Sequence, residues 1–310
     1  MNGMTLIVVA AMCSLSAPQV SDTARRLVQY DPALPLNATY RSAETTPDAE
    51  VFRLEYESPK GGRVTGFLVS PRRRGTFAGI VFGHWGEGNG TEFLPEAIRY
   101  AKAGAVSVLI DYPGVRVQPW YRKLFSSDTT PDEDLTVLAQ AIVDLRRAFD
   151  LLIARPDVDR KRLAYVGHSF GAQFGAVLTS VDQRMTTAVL LAGHPSAAVT
   201  WFETDDPELV QVRKTVGDEA LRHEIDVISV LDAIHFVPHA APISLLFQFA
   251  RYEHIKEDRM KAYAQSASEP KAIRWYSSGH AVNDPAALAD RADWLQARIG
   301  LKGTRAAVGR

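Results

Sequence analysis

The sequence predicts an α/β fold with a mostly parallel central sheet and helices on both faces of that sheet. Short apolar segments typical of buried strands alternate with longer segments of helical character through most of the chain. A Gly-x-Ser-x-Gly turn lies between one such strand and a helix rich in small residues. Because the site of such a fold lies beyond the carboxyl ends of the strands, we expect the chemistry near this turn.

The predicted elements begin with a hairpin. Its strands, 51–57 and 64–69, flank the turn signal Ser-Pro-Lys-Gly-Gly at 58–62. Strands and helices then alternate. The predicted strands are 80–82, 105–110, 163–166, 187–191, 241–249 and 271–276. Four helices are predicted: one that begins near 93, one over 135–154, one directly after the serine turn and one that begins near 284.

Length and composition favour one large domain. The chain has 310 residues, of which 46% are hydrophobic and 23% charged, enough to bury a single α/β core. We predict a catalytic domain over 51–301, preceded by a polar, proline-punctuated arm at 18–50 and followed by a tail at 302–310. Between 193 and 241 the alternation breaks and apolar residues recur at helix-like intervals, which predicts a small helical excursion over the site.

The serine turn supplies the candidate nucleophile, Ser169. The residues of the turn are Val166-Gly167-His168-Ser169-Phe170-Gly171. In a strand-turn-helix context this pattern holds the serine at a strained corner, and the glycines leave room for the backbone to fold back. The hydroxyl then projects above the amino end of a helix, where negative charge developing on a substrate oxygen is favoured.

A nucleophilic serine needs a base, and His280 is the candidate. It lies in the loop after the predicted strand 271–276, from which its ring can reach back over Ser169. Most of the other seven histidines have simpler explanations as solvated or locally bonded side chains.

The candidate acid is Glu253, the first carboxylate after the predicted strand 241–249. A carboxylate there can accept the imidazole N–H, fix its tautomer and stabilise the imidazolium. Glu257 and Asp258 follow closely and stay open as alternatives.

A glycine-rich turn at 83–90 predicts an oxyanion hole, because glycines let backbone N–H groups approach a substrate oxygen closely. We expect one donor from Trp85 or Gly86 and the other from Phe170, which follows the nucleophile. The turn has neither the Lys-Ser/Thr of a phosphate-binding loop nor the glycine spacing of a dinucleotide site.

The candidate substrate pocket consists of three histidines near strand ends and two aromatic residues in the excursion: His84, His168, His194, Trp201 and Phe202. Adjacent large aromatics in a charged segment are unfavourable unless they are covered or touch a ligand. We therefore expect one of the two aromatics to line the acyl pocket and the other to anchor the excursion to the core.

Taken together, these features resemble the α/β-hydrolase superfamily, and in particular its dienelactone-hydrolase-like and secreted serine esterase branch. The resemblance rests on the chain order Ser169, Glu253, His280, on His84-Trp85-Gly86 where the family commonly has His-Gly, and on the segments 111–114 (Asp-Tyr-Pro-Gly) and 155–159 (Arg-Pro-Asp-Val-Asp). It implies an α/β-hydrolase fold and cofactor-free ester hydrolysis through an acyl-enzyme. Dienelactone hydrolase uses cysteine where this chain has Ser169, so its lactone substrate does not transfer.

Two other functions stay open. A serine peptidase or amidase of the same fold is one, although such peptidases usually carry a propeller domain for which this chain has no room. A non-catalytic ligand-binding homologue is the other, although a pure binder has no need of all three triad residues in order.

Charge and cysteine content limit the partners. A net charge of −1 gives no general attraction to nucleic acid or anionic membrane, which leaves a small-molecule ester as the expected partner. The single Cys13 excludes an intramolecular disulfide and a cysteine-based zinc cluster, and no ligand spacing predicts another metal site.

The chain begins with an apolar stretch at 6–13, within a possible signal peptide at 1–17. The stretch is too short to span a bilayer, and small residues follow it, which favours export to the periplasm or medium. No Lys or Arg precedes the stretch, so a cytoplasmic enzyme with an apolar start is the alternative.

Overall fold

A nine-stranded sheet forms the centre of the protein, of which a computed structural model describes residues 20–304. The strands are β1 (Thr39–Thr45), β2 (Ala49–Glu57), β3 (Arg63–Pro71), β4 (Phe77–Gly83), β5 (Ala105–Ile110), β6 (Val158–His168), β7 (Thr187–Leu191), β8 (Ser244–Ala250) and β9 (Lys271–Tyr276). Their order in the sheet is β1-β2-β3-β5-β4-β6-β7-β8-β9. The pairs β1/β2, β2/β3 and β3/β5 are antiparallel and the other five pairs are parallel.

Helices cover both faces of this sheet. They are α1 (Asp22–Leu27), α2 (Leu94–Ala103), α3 (Pro131–Ala154), α4 (Phe170–Val181), α5 (Ala197–Phe202), α6 (Pro207–Val216), α7 (Asp218–Ile228), α8 (Glu257–Ser266) and α9 (Pro285–Ile299). Buried residues of α1, α3, α4 and α8 share one core cluster, whereas those of α2 and α9 share the cluster on the opposite face. The predicted α/β architecture is confirmed, and α5 to α7 occupy the predicted excursion.

The central strands are buried on both faces, which explains their continuous apolar sequences. Every residue of β4, β5, β7 and β8 is buried. Because successive side chains of a strand point to opposite faces, Ile80 and Phe82 of β4 join one core cluster and Val81 joins the other.

Local signals in the sequence set the ends of several helices. Thr130 and Glu133 form a reciprocal capping box at the start of α3. Asp284 caps the start of α9 by accepting two backbone N–H groups, and α2 ends at Gly104, which has a φ of 102°.

The segment predicted as an arm, 18–50, contributes both a helix and an edge strand to the domain. Ala24 of α1 and Val28 are buried in the core cluster that includes α3. Arg146 and Arg147 of α3 donate hydrogen bonds to the carbonyl oxygens of Val28 and Leu34 at 2.6 and 2.8 Å. These buried contacts hold the segment against the sheet, and proline-rich composition alone did not reveal them.

A buried ion pair joins the two helices on the second face. Arg291 of α9 donates to both carboxylate oxygens of Glu96 in α2, at 2.8 and 2.9 Å, and to Gln248 of β8 at 2.9 Å. Removing either member would leave a buried charge unpaired, which is strongly destabilising. The pair therefore holds α2 and α9 together beside β8.

The possible signal peptide at 1–17, with Cys13, lies outside the described residues, as do residues 305–310 of the predicted tail. Within 20–304, no helix is both long enough and apolar enough to cross a membrane.

Candidate active site

The predicted nucleophile lies at a strained turn. Ser169, between β6 and α4, has a φ of 54° and a ψ of −113°, a conformation that costs a non-glycine residue about 1–3 kcal/mol. Its N–H donates to the carbonyl oxygen of Leu191 at 2.9 Å, at the carboxyl end of β7. Such strain is retained where the surrounding structure enforces it, typically at functional sites.

Close backbone packing explains the glycines of this turn. A Cβ on Gly171 would lie 2.1 Å from the carbonyl oxygen of Gly83, and a Cβ on Gly167 would lie 2.4 Å from the carbonyl oxygen of Gly171. The Gly171 N–H also donates to the His84 carbonyl oxygen at 3.0 Å. The serine turn is therefore seated directly against the start of the glycine-rich loop after β4.

The structure brings His280 and Glu253 together on the loops after β9 and β8. His280 Nδ1 lies 2.8 Å from Glu253 Oε2. Because a carboxylate only accepts hydrogen bonds, Nδ1 carries the proton and Nε2 keeps a lone pair with which it can take a proton from a serine. Of the alternative acids, Glu257 pairs with Lys261 at 2.8 Å and Arg251 at 3.6 Å.

Electrostatics keeps Glu253 ionised. Burial by itself would raise the pKa of the Glu253 carboxyl, but the imidazoles of His194 and His280 outweigh burial and hold that pKa well below its usual range. The carboxylate is therefore charged at neutral pH and can stabilise an imidazolium at His280.

His194 presents a second imidazole to the same carboxylate. Its Nδ1 lies 3.0 Å from the hydroxyl of Thr200, and its Nε2, which is buried without a hydrogen-bond partner, lies 3.9 Å from Glu253 Oε1. The Thr200 hydroxyl also lies 3.0 Å from the Ser196 carbonyl oxygen.

One group of side chains among residues 20–304 could hold a metal ion: His194, Glu253 and His280, whose donor atoms lie within 4.8 Å of one another. Ligand spacing did not predict this group, because its members come from three separate loops. A metal ion bound there would occupy His280 and Glu253, so it would compete with their hydrogen bond.

The structure distinguishes between Trp85 and Gly86, the two alternative oxyanion donors on the glycine-rich turn. The Trp85 N–H donates to Glu92 Oε2 at 2.8 Å and is therefore engaged. Gly86 lies beside Phe170, since a Cβ on this glycine would lie 3.0 Å from the Phe170 ring. The backbone N–H groups of Gly86 and Phe170 are thus the better candidate pair.

His84, predicted as a pocket residue, is buried beneath this loop. Its Nε2 accepts the Tyr112 N–H at 3.1 Å and its Nδ1 faces the carbonyl oxygen of Trp85. Burial lowers the pKa of His84, which keeps the imidazole neutral in this role. The side chain pins the loops after β4 and β5 to each other.

His168, also predicted in the pocket, has both ring nitrogens engaged. Nδ1 lies 2.6 Å from Glu92 Oε1, and Nε2 lies 2.8 Å from the carbonyl oxygen of His280. Sequence reasoning missed Glu92. Nothing in the sequence pairs position 92 with position 168. The one available signal was that Glu92 is an acid between the glycine-rich turn and the next helix, close to a strand end.

A small apolar cavity adjoins the serine turn through Phe170. Its volume is about 50 Å³. The lining residues include Phe125, Phe170, Phe174, Trp201, Leu231 and Asp232. Burial raises the pKa of Asp232 to about 7, and its carboxylate accepts the Ala197 N–H at 2.8 Å, which ties the start of α5 to this wall.

The two aromatic residues of α5 have different surroundings. Trp201 lines the small cavity. The guanidinium groups of Arg213 and Arg222 lie 5.7 and 4.3 Å from the centroid of the Phe202 ring. Phe202 therefore packs within the excursion, on α6 and α7, rather than on the sheet core.

A larger cavity of about 580 Å³ is lined in part by His280. Its lining includes Trp85, Glu92, His168, His280 and Asn283. Trp85, which lines this cavity, is 39% exposed.

The sheet topology and the strained serine turn define an α/β hydrolase, and the chain is a serine carboxylic ester hydrolase. More particularly, the model of the acetyl xylan esterase (AXE1) family matches residues 25–194, over half of the chain, so the protein belongs to that family.

Solved structures share this fold, and a curated esterase is similar in sequence. The acetyl xylan esterase from Paenibacillus sp. R4 superposes with a TM-score of 0.74 at 17% identity, over 91% of this chain and 97% of that one. Acetyl xylan esterase 1 from Thermoanaerobacterium sp. JW/SL YS485 gives 0.68 at 15% identity, over 85% and 89%. Esterase FrsA of Escherichia coli O157:H7 is 23% identical over 96% of this chain and 70% of its own length.

Proposed function

We propose that the protein removes short acyl groups, acetyl foremost, from bulky alcohols such as carbohydrates, with Ser169 as nucleophile, His280 as base and Glu253 as acid. The observation that carries this proposal is the His280–Glu253 hydrogen bond of 2.8 Å, formed at the sheet edge where Ser169 is held in a strained turn. Export through residues 1–17 remains part of the proposal.

The reaction would proceed in two acyl transfers. His280 Nε2 takes the Ser169 hydroxyl proton as the oxygen attacks the ester carbonyl, and the resulting imidazolium is stabilised by Glu253. The N–H groups of Gly86 and Phe170 hold the negatively charged oxygen. The imidazolium then protonates the departing alcohol. Water repeats the sequence on the acyl-enzyme and releases the acid.

The two cavities support the choice of substrate. The small cavity beside Phe170 has room for a few water molecules or a short acyl chain. The larger cavity, which His280 helps to line, can take a bulky alcohol, and its exposed Trp85 offers an apolar face to a sugar ring. The family and two structural neighbours are named for acetyl xylan, an acetylated carbohydrate.

A series of p-nitrophenyl esters tests the acyl preference. Because the small cavity excludes long chains, we expect kcat/KM for the acetate to exceed that for the octanoate by about tenfold or more. Release of acetate from acetylated xylo-oligosaccharides tests whether the enzyme accepts a carbohydrate as the alcohol part of the ester. Octanoate hydrolysed as well as acetate would contradict the short-acyl proposal.

Trp201→Ala tests the wall of the small cavity. Removing the indole lengthens the cavity, so the octanoate-to-acetate ratio of kcat/KM should rise by about tenfold or more. Phe202→Ala is the matched control on the same helix: it removes the contacts with Arg213 and Arg222, at a cost of about 1–2 kcal/mol in unfolding free energy, and should leave that ratio at the parental value. A ratio unchanged in Trp201→Ala would place the acyl pocket elsewhere.

A further inference from the structure

Three side chains at the ends of neighbouring strands meet at one point of the site. His194 follows β7, Glu253 follows β8 and His280 follows β9, and one donor atom from each lies within 4.8 Å of the other two. His280 Nδ1 lies 2.8 Å from Glu253 Oε2, and His194 Nε2 lies 3.9 Å from Glu253 Oε1. The carboxylate is thus flanked by two imidazole nitrogens from separate loops.

The triad does not account for His194, which is buried and only 8% exposed. Its Nε2 has no hydrogen-bond partner, since 3.9 Å to the carboxylate oxygen is too long for a hydrogen bond. Its Nδ1 lies 3.0 Å from the Thr200 hydroxyl, which can accept the Nδ1 proton and so leave the imidazole lone pair on Nε2. A buried polar atom without a partner is rare, and an ion is one of the groups that explains it.

We propose that His194, Glu253 and His280 bind a zinc ion that reversibly switches the enzyme off. Two histidines and one glutamate are an established set of three protein ligands for zinc, with water in the fourth position. Ligand atoms of a tetrahedral zinc ion lie about 3.3 Å apart at the usual bond lengths, between the 2.8 and 3.9 Å at which the two imidazole nitrogens flank Glu253. Adjustments of the side chains therefore bring these donors onto one ion.

Zinc at this point disables His280 as a base. The ion binds the lone pair of Nδ1, so the proton that Nδ1 shares with Glu253 leaves to solvent and Nε2 takes up another. The imidazole gains no charge, but Nε2 then has no lone pair with which to accept the Ser169 proton. Glu253 becomes a metal ligand in the same step and no longer stabilises an imidazolium. The inference rests on the proposed roles of His280 and Glu253.

Hydrolysis of p-nitrophenyl acetate with added zinc chloride is the first test. The protein is prepared without a histidine tag, treated with EDTA and dialysed into a buffer that does not bind metals. Saturating zinc should lower kcat by about tenfold or more and change KM by less than about threefold, because zinc occupies the base rather than the pockets. Excess EDTA should restore the parental kcat. Magnesium chloride at the same concentration should have no effect, because magnesium prefers oxygen ligands to imidazole.

His194→Gln separates this site from other zinc sites. Loss of a side chain that merely orients a metal ligand costs about 10- to 100-fold in metal affinity, so loss of a ligand should raise the zinc concentration for half-inhibition by at least that much. Each variant is compared with its own metal-free rate, so an effect of the substitution on basal activity does not enter the comparison.

His254→Gln is the matched control. His254 is an exposed histidine next to Glu253 in the sequence, and its Nδ1 lies 2.9 Å from Asp205 Oδ1. An exposed imidazole beside a carboxylate can attract zinc without touching the triad. His254→Gln should therefore keep the parental concentration for half-inhibition.

Isothermal titration calorimetry provides a readout that does not depend on activity. The parent should bind one zinc ion per chain at the concentrations that inhibit it, and His194→Gln should lack this binding event. Melting temperatures show whether His194→Gln is folded. Thr200→Val takes its place if it is not, because removing the hydroxyl that faces His194 Nδ1 should weaken zinc binding by about 10- to 100-fold.

Four results would overturn the zinc site: no inhibition by millimolar zinc, equal inhibition of the parent and His194→Gln, relief of inhibition by His254→Gln, or an EDTA-treated enzyme that zinc activates. Failure of the proposed function is distinguishable from these. Ser169→Ala would then retain activity, whereas calorimetry measures zinc binding whatever the role of Ser169.

Discussion

Ser169→Ala is expected to lower kcat for ester hydrolysis by about 10⁴- to 10⁶-fold, because no acyl-enzyme can form without the hydroxyl. The substitution removes one oxygen and leaves the turn otherwise intact, so the melting temperature should change little. Initial rates with p-nitrophenyl acetate measure the loss. Intact-mass spectrometry after treatment with a fluorophosphonate should show the adduct on the parent and none on the variant.

Ser277→Ala is the control for this experiment. Ser277 is exposed on the loop that carries His280, so a reagent that labels serines near the site without selectivity would reach it. This variant should keep both the adduct and the hydrolytic rate. A Ser169→Ala enzyme that still forms the adduct, or still turns over at a near-parental rate, would show that another residue is the nucleophile.

The sequence predicted the central strands and the helices around the serine turn because these depend on local pattern, whereas α1, β1 and α8 were not predicted. Continuous apolar runs bounded by turn signals identified β5 and β7 with the observed bounds, since strands buried on both faces tolerate little else. The turn around Ser169 was equally readable, because close backbone contacts at Gly167 and Gly171 exclude side chains there. The predicted pairing of Glu253 with His280 followed from the rule that strand ends of a parallel sheet meet at one edge.

Side-chain partnerships between distant loops were not predictable in the same way. His168 and Glu92 are 76 positions apart, and their contact depends on how two loops fold over one sheet edge. The role of His84 likewise depends on the Tyr112 N–H, which belongs to the next strand end. The sequence left Trp85 and Gly86 as alternative oxyanion donors on the glycine-rich turn. Only the structure reveals that the Trp85 N–H already donates to Glu92.

These misses share a physical cause. Periodicity reports which face of an element is buried, but it carries no information about which polar groups satisfy each other across loops. The three histidines near strand ends were therefore all predicted to line the substrate pocket, while the partner of each became clear only from the hydrogen-bond geometry.

Glu253→Gln is expected to lower kcat by about 10²- to 10⁴-fold. The amide keeps the size of the side chain but removes the charge that stabilises the His280 imidazolium, and an amide nitrogen facing Nδ1 favours the wrong tautomer. Substrate contacts are unaffected, so KM should change by less than about threefold. Steady-state kinetics with p-nitrophenyl acetate separates the two parameters.

Glu257→Gln is the matched control, since Glu257 is an exposed acid four residues further on that pairs with Lys261 and Arg251. It should retain the parental kcat. The reverse result, a large loss in Glu257→Gln with Glu253→Gln near the parental rate, would falsify the assignment of the acid.

The pH dependence of stability provides a second readout for Glu253. Because its folded-state pKa is depressed, the ionised carboxylate stabilises the folded protein above the unfolded-state pKa of about 4.3, and this contribution disappears as the pH falls through the lower folded-state value. The difference in unfolding free energy between the parent and Glu253→Gln should therefore be largest near neutral pH and shrink in acid. Denaturant melts at a series of pH values measure it. A difference that stays constant down to low pH would mean that the Glu253 charge does not interact with His194 and His280 as the structure indicates.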